Sequence, residues 1–240
     1  MNAKQESGCG MVYLIPAALH DNGAPVILPY VTGAVKQCDV FFVENERSAR
    51  RFLKSLWREM VIDAYEWVTI HKAETVVRHR FAEYLRAGKT IGIISEAGCP
   101  GVADPGQVLV GVAHQEGASV RPLVGPSSIL LALMASGLNG QRFQFNGYLP
   151  IGNEERIKAI RQLESESLKK NCTQLCIETP YRNNQLLAAL VHACRPETRL
   201  CIAADLTGDQ EFIRTQTIRE WKRELPDLHK RPTVFCFLGA

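Results

Sequence analysis

The sequence predicts two α/β domains, with a mostly parallel sheet in the first and a mixed sheet in the second. Three observations lead there. Short apolar runs alternate with helical patterns as far as residue 135, and that alternation builds parallel sheets. Past residue 142 the strand-like runs outnumber the helical ones, which suits a mixed sheet. A buried strand at 90–94 empties into a loop, 95–106, made almost wholly of turn residues, and loops at strand ends are where α/β sheets bind ligands. The domains are placed at 11–122 and 142–240, with 123–141 as the connecting segment.

In order along the chain, residues 1–10 are polar and read as loose. Residues 11–15 are a short apolar strand, 19–23 a loop, and a helix is expected after Pro29. Residues 40–43 form a second apolar strand ending at Glu44. Phe52, Leu53, Leu56 and Trp57 share one face of a helix over 48–57. Val76, Val77, Phe81 and Leu85 fall at helical spacing over 74–87, and Gly88 ends that helix. After the strand 90–94 and its loop come a helix at 107–116 and a strand at 120–124. Gly125-Pro126-Ser127-Ser128 then opens an apolar helix over 129–135, with either serine placed to cap it. The second half reads as a strand at 143–148, a charged amphipathic helix at 153–168, a strand at 173–177 and a helix at 185–194. Strands at 199–204 and 212–217, a short helix at 218–223 and a last strand at 233–238 complete it.

Composition narrows the class. The chain is 46% hydrophobic and 22% charged, as globular proteins are, and its net charge of +3 permits an RNA or phosphate partner without arguing for one. None of the eight cysteines is in Cys-x-x-Cys spacing, and Cys176, Cys201 and Cys236 sit in apolar runs. They read as buried, reduced thiols of a cytoplasmic protein, with no metal site. The N-terminal run lacks the basic flank and apolar core of a signal peptide, and no stretch approaches the roughly 18 apolar residues of a membrane span.

The loop 95–106 reads Ser-Glu-Ala-Gly-Cys-Pro-Gly-Val-Ala-Asp-Pro-Gly. Its glycines and prolines fix the backbone and keep side chains out of the way, so a ligand can lie against the main chain. Taken alone, such a loop is more often only a turn, Asp104 only a turn former, and Ser127 and Ser128 only caps.

Order and spacing change that. The loop at 95–106, the Gly125–Ser128 turn, Glu178-Thr179-Pro180-Tyr181-Arg182 and Leu206-Thr207 stand together as in the tetrapyrrole methylase superfamily of class III S-adenosylmethionine methyltransferases. Within it, the chain most resembles the ribosomal RNA small-subunit methyltransferase I branch, which 2′-O-methylates a cytidine. That branch reads Ser-Asp-Ala-Gly-Thr-Pro…Asp-Pro-Gly where this chain has Ser95-Glu96-Ala97-Gly98-Cys99-Pro100…Asp104-Pro105-Gly106. Ala135-Ser136-Gly137-Leu138, Arg142-Phe143 and Gly147-Tyr148-Leu149-Pro150 match as well, and the resemblance spans residues 11–240.

The resemblance implies a tetrapyrrole methylase-like fold with S-adenosylmethionine in a cleft between the domains. Cofactor contacts would come from Pro16, Ser95, Glu96, Ala97, Gly98, Cys99, Val102, Ala103, Asp104, Gly125, Ser127 and Ser128. Phe145, Tyr148, Pro232 and Thr233 would add contacts from the second domain. It also implies a homodimer acting on ribosomal RNA. Methyl transfer from a sulfonium needs no metal, only backbone donors, an apolar slot and an aligned acceptor.

Departures from the family gather elsewhere. The family's Pro-Thr-Pro-Ile-Gly-Asn-Leu is here Pro16-Ala17-Ala18-Leu19-His20-Asp21-Asn22. Glu-Asp-Thr-Arg is Glu44-Asn45-Glu46-Arg47, and Arg-Glu-Leu-Thr-Lys is Ala204-Asp205-Leu206-Thr207-Gly208, losing an arginine and a lysine. These loops are the ones expected to face the acceptor, so the donor is better specified than the acceptor. A ribose hydroxyl is a weak nucleophile that benefits from a base or a polarising cation. Glu44, Arg47 and Glu178 are the catalytic candidates, beside His20 and Asp21. Methylation of a tetrapyrrole or another small molecule, or a non-catalytic cofactor-binding module, are the competing readings.

Overall fold

The computed structural model describes residues 8–20, 23–70 and 77–240. Residues 1–7 of the predicted loose segment 1–10, Asp21, and residues 74–76 of the predicted helix 74–87 lie outside them. The chain divides into two units, Met1–Pro126 and Ser127–Ala240.

The first unit carries β1 (Met11–Leu14), α1 (Pro29–Val35), β2 (Val40–Val43), α2 (Glu46–Leu56), β3 (Glu66–Thr69), α3 (Arg78–Arg86), β4 (Thr90–Ile94), α4 (Gln107–Gln115) and β5 (Ser119–Pro122). All five strands pair in parallel, in the order β3-β2-β4-β1-β5. The chain moves one way across the sheet from β1 to β3, then the other way from β3 to β5. Right-handed crossovers therefore place α1 and α2 on one face and α3 and α4 on the other. The cores agree: Tyr13, Phe41 and Val43 pack with Val31 and Leu53, while Val12, Val40, Phe42 and Ile91 pack with Phe81 and Leu109. Either side of β4, connections leave toward opposite faces, and such a switch point opens a crevice at the carboxyl ends of the strands.

The second unit carries α5 (Ser128–Ala135), β6 (Phe143–Tyr148), α6 (Asn153–Lys170), β7 (Thr173–Ile177), α7 (Asn183–Ala193), β8 (Arg199–Ala204), β9 (Phe212–Thr217), α8 (Ile218–Trp221) and β10 (Thr233–Leu238). Its sheet runs β6-β7-β10-β8-β9, with β6 and β7 parallel and the other pairs antiparallel. Ile160, Leu186, Leu190, Ile202, Phe235 and Phe237 form its core, closed by Trp221, whose indole donates to the Leu200 carbonyl at 2.9 Å. On this sheet α5 packs against β10 and β8.

Several boundaries differ from the sequence reading, each for a local reason. Helix α2 starts at Glu46 because the Asn45 side chain caps it, accepting from Arg47 N and Ser48 N at 3.0 and 3.2 Å. Helix α6 runs on to Lys170 and stops where Asn171 turns left-handed (φ 47°). Strand β5 ends at Pro122, although Leu123 N still donates to Leu14 O at 3.0 Å. Ser127 stands at the cap position of α5 with no capping bond from its side chain. Strand β3 has no counterpart among the predicted elements: only Val68 of its four residues is buried, so it carries little apolar signal. Among the described residues no helix is long and apolar enough to cross a membrane.

Candidate functional site

Strands β1, β2, β4 and β5 end side by side, and their following loops meet at the switch point. Ile15 N donates to Ile93 O at 2.9 Å, and Glu44 N to Ile94 O at 3.1 Å. Past the strands, Ala17 and Gly98 exchange two backbone bonds of 2.8 and 3.1 Å, which tie the loop after β1 to the glycine loop. The loop after β5 comes equally close. A Cβ on Gly125 would lie 2.1 Å from Pro16 Cβ and 2.4 Å from Pro16 Cγ, so only glycine fits there. The Cys99 thiol donates to the Pro126 carbonyl at 3.4 Å.

Within the glycine loop the backbone bonds to itself. Val102 N donates to Cys99 O at 3.2 Å and Gly101 N to Pro105 O at 3.0 Å. Gly106 adopts φ 130°, and a Cβ there would sit 3.1 Å from Gly101 N. Ala103 is left-handed as well (φ 63°), a strain held in place by the prolines and glycines around it. Ser95 is buried, its hydroxyl bonded to Ala97 O at 3.1 Å, while Val102 and Ala103 are exposed.

Three carboxylates gather here. Glu44 Oε2 accepts from Glu96 N at 2.9 Å, and Glu96 Oε1 accepts from the Ser48 hydroxyl at 3.2 Å. Asp104 is partly buried beside both. Burial first, then the charges of Glu44 and Glu96, push its pKa from 3.8 up to about 6. Three carboxylates gathered this closely leave a negative potential suited to a cation. Next to them opens a pocket of about 330 Å³, lined by Ala17, Ala18, Leu19, His20, Ala24, Ser48, Arg51, Phe52, Ser55, Glu96 and Ala97.

The predicted residues thus fall into groups. Pro16, Ser95, Glu96, Ala97, Gly98, Cys99, Asp104 and Gly125 come together with Glu44 at the switch point, and His20 lines the adjoining pocket. Arg47 is exposed in the first turn of α2. In the second unit, Glu178 ends β7 with its side chain only 2% exposed, held by Arg182 and by Thr179 N, both at 2.7 Å. Phe145 is half-buried and Tyr148 exposed on β6, either side of an irregularity in its pairing. Pro232 O accepts from Asp205 N at 2.9 Å, and Thr233 is buried with its hydroxyl on Arg231 O. Although arginine and lysine are absent at 204 and 208, Arg231 reaches that loop, bonding Asp205 at 2.6 Å and Gln210 O at 2.7 Å.

The sequence reading missed Ser48, Arg51, Phe52 and Ser55 of the pocket. Their i, i+3, i+4, i+7 spacing along α2 is the signal that one helix face carries them all.

Comparison with known proteins agrees with this architecture. Residues 31–222 match the tetrapyrrole (corrin/porphyrin) methylases. The chain is 38% identical over 135 residues, 56% of its length, to Ribosomal RNA small subunit methyltransferase I of Mesorhizobium japonicum, covering 45% of that protein. It is 30% identical over 216 residues to the protein of the same name from Bacillus subtilis, covering 89% of this chain and 70% of that one. The chain spans 45–73% of the length of these curated relatives. In fold it is similar to the uroporphyrin-III C-methyltransferase of Thermus thermophilus solved with S-adenosylhomocysteine. That likeness has a TM-score of 0.56 at 17% identity and covers 95% of this chain and 97% of that one. Sequence, sheet order and glycine loop lead to one conclusion: the chain belongs to the tetrapyrrole methylase family, near its ribosomal RNA small-subunit methyltransferase I branch.

Proposed function

We propose that this chain is an S-adenosylmethionine-dependent methyltransferase that 2′-O-methylates ribosomal RNA. The observation that carries the donor assignment is the switch-point cluster, where a bare glycine backbone adjoins three carboxylates. S-adenosylmethionine, when bound, supplies an electrophilic methyl group on a cationic sulfonium. The residues present suit it. Gly98 and Gly125 bring the loops together with no side chain between them, Ser95 to Cys99 give the donor a largely main-chain wall, and Asp104, Glu44 and Glu96 complement positive charge. Val102, Ala103, Ser127 and Ser128 extend this set along the same loops. For Phe145, Tyr148, Pro232 and Thr233 the assignment rests on the family resemblance.

The acceptor assignment rests on the named relatives, which are ribosomal RNA methyltransferases. A ribose hydroxyl must shed its proton as it is methylated, and Glu44, beside the glycine loop, is the carboxylate proposed to take it. Arg47 is assigned to the RNA backbone. Glu178, locked to Arg182, serves position rather than proton transfer. The family resemblance supports a homodimer, and eight free thiols suit a reducing cytoplasm.

Calorimetry tests the donor site. Affinity for the cationic cofactor is expected to rise as pH passes up through about 6, where Asp104 becomes charged, and Asp104→Asn is expected to weaken binding and flatten that rise. Absence of binding by both S-adenosylmethionine and S-adenosylhomocysteine would falsify the proposal.

A further inference from the structure

Past the last rung of the first sheet, where Leu123 N donates to Leu14 O, the chain passes through Val124, Gly125 and Pro126. This turn has few means of holding its own shape. Glycine brings no steric preference and proline no N–H, and Val124, at 66% exposed, gains little from burial. Yet Gly125 sits so close to the Pro16 ring that a Cβ there would clash. Its position is therefore set by groups from elsewhere in the first unit.

Two side chains grip the turn. The Tyr30 hydroxyl accepts from Val124 N, on the peptide plane that enters it. The Cys99 thiol donates to Pro126 O, on the peptide plane that leaves it. With both planes pinned and φ of Pro126 fixed by its ring, little freedom is left to Gly125 between them. Cys99 belongs to the glycine loop itself, but Tyr30 stands in the first turn of α1. That helix is a firm support. Pro29 is its first residue, and Val31, Ala34 and Val35 are buried in the core on that face of the sheet. Just past its end, Gln37 Oε1 accepts from the Tyr13 hydroxyl of β1 at 2.9 Å. The Tyr30 ring is 47% exposed and lies outside that core, so its packing contributes little beside the bond its hydroxyl makes.

We propose that Tyr30 is a positioning residue for the methyl donor: through Val124 N it holds Gly125 against Pro16 and keeps the donor wall in shape. The proposal rests on the methyltransferase reading. It adds a residue outside the loops that the family resemblance assigns to the donor. Tyr30 acts through the turn rather than on the reacting atoms, so its loss raises KM for the donor and leaves kcat alone.

Tyr30→Phe in the full chain is the test, since it deletes one oxygen and keeps the ring. Calorimetry is expected to show affinity for S-adenosylmethionine and S-adenosylhomocysteine lower by about fivefold, the worth of one exposed hydrogen bond. In RNA methylation assays KM for S-adenosylmethionine rises by a similar factor, while kcat and KM for RNA stay near wild type. In the ligand-free protein the amide resonances of Val124 and Gly125 shift. A merely structural role would lower the melting temperature and leave donor affinity of the folded protein unchanged. That result, unmoved amides at 124 and 125, or a fall in kcat at constant donor affinity each overturns the proposal. The two readings separate. If the wild-type protein binds the donor and Tyr30→Phe binds it equally well, the positioning role falls and the methyltransferase reading stands. If the wild-type protein binds neither form of the cofactor, the methyltransferase reading falls and the positioning role with it.

Discussion

Gly125→Ala is expected to lower affinity for S-adenosylmethionine by more than about tenfold and to cost about 1–3 kcal/mol of stability. The physical reason is local. The added Cβ would lie 2.1 and 2.4 Å from two ring atoms of Pro16, and a proline ring has no rotamer to escape into. One of the two segments must move. Pro16 leads into Ala17, which is bridged to Gly98, so displacement passes directly into the glycine loop. Pro126, beside Gly125, also accepts the Cys99 thiol bond. Titration calorimetry and thermal unfolding of the variant check both effects, and wild-type affinity with a wild-type melting temperature would refute the packing argument.

Arg182→Ala is expected to destabilise the second unit by about 3 kcal/mol, the penalty for leaving a buried carboxylate without its charge partner. Glu178 is 2% exposed and has Arg182 at 2.7 Å; Thr179 N is then its one remaining donor among the described residues. Glu178→Gln, which keeps the shape and removes the charge, should cost less than Arg182→Ala. Urea denaturation reads both. A loss below about 1 kcal/mol in Arg182→Ala would mean that the pair behaves as an exposed one.

What the sequence made legible follows from how local each signal is. Strand β4 and its loop stood out because burial on both faces gives a continuous apolar run, and because Gly and Pro dictate backbone shape by themselves. The helix after Pro29 and the turn before α5 were readable for the same reason. Strand β3 was not, since an edge strand with one fully buried side chain leaves almost no periodic signal. The grouping of Pro16, Gly98 and Gly125 was reachable only through family resemblance. It arises from strand order, with β1 between β4 and β5, and no local pattern encodes that order. The pocket side of α2 went unread because Ser48, Arg51 and Ser55 look like the solvated face of any amphipathic helix. Only the loop folded over them makes that face a wall.

The central claim is that this cluster of loops delivers a methyl group to RNA ribose. The most direct measurement maps 2′-O-methyl groups in unmodified small-subunit ribosomal RNA incubated with the protein and S-adenosylmethionine. A new ribose methyl group that fails to appear with Gly125→Ala is the predicted result. An RNA whose ribose methylation is the same with and without the protein would contradict it.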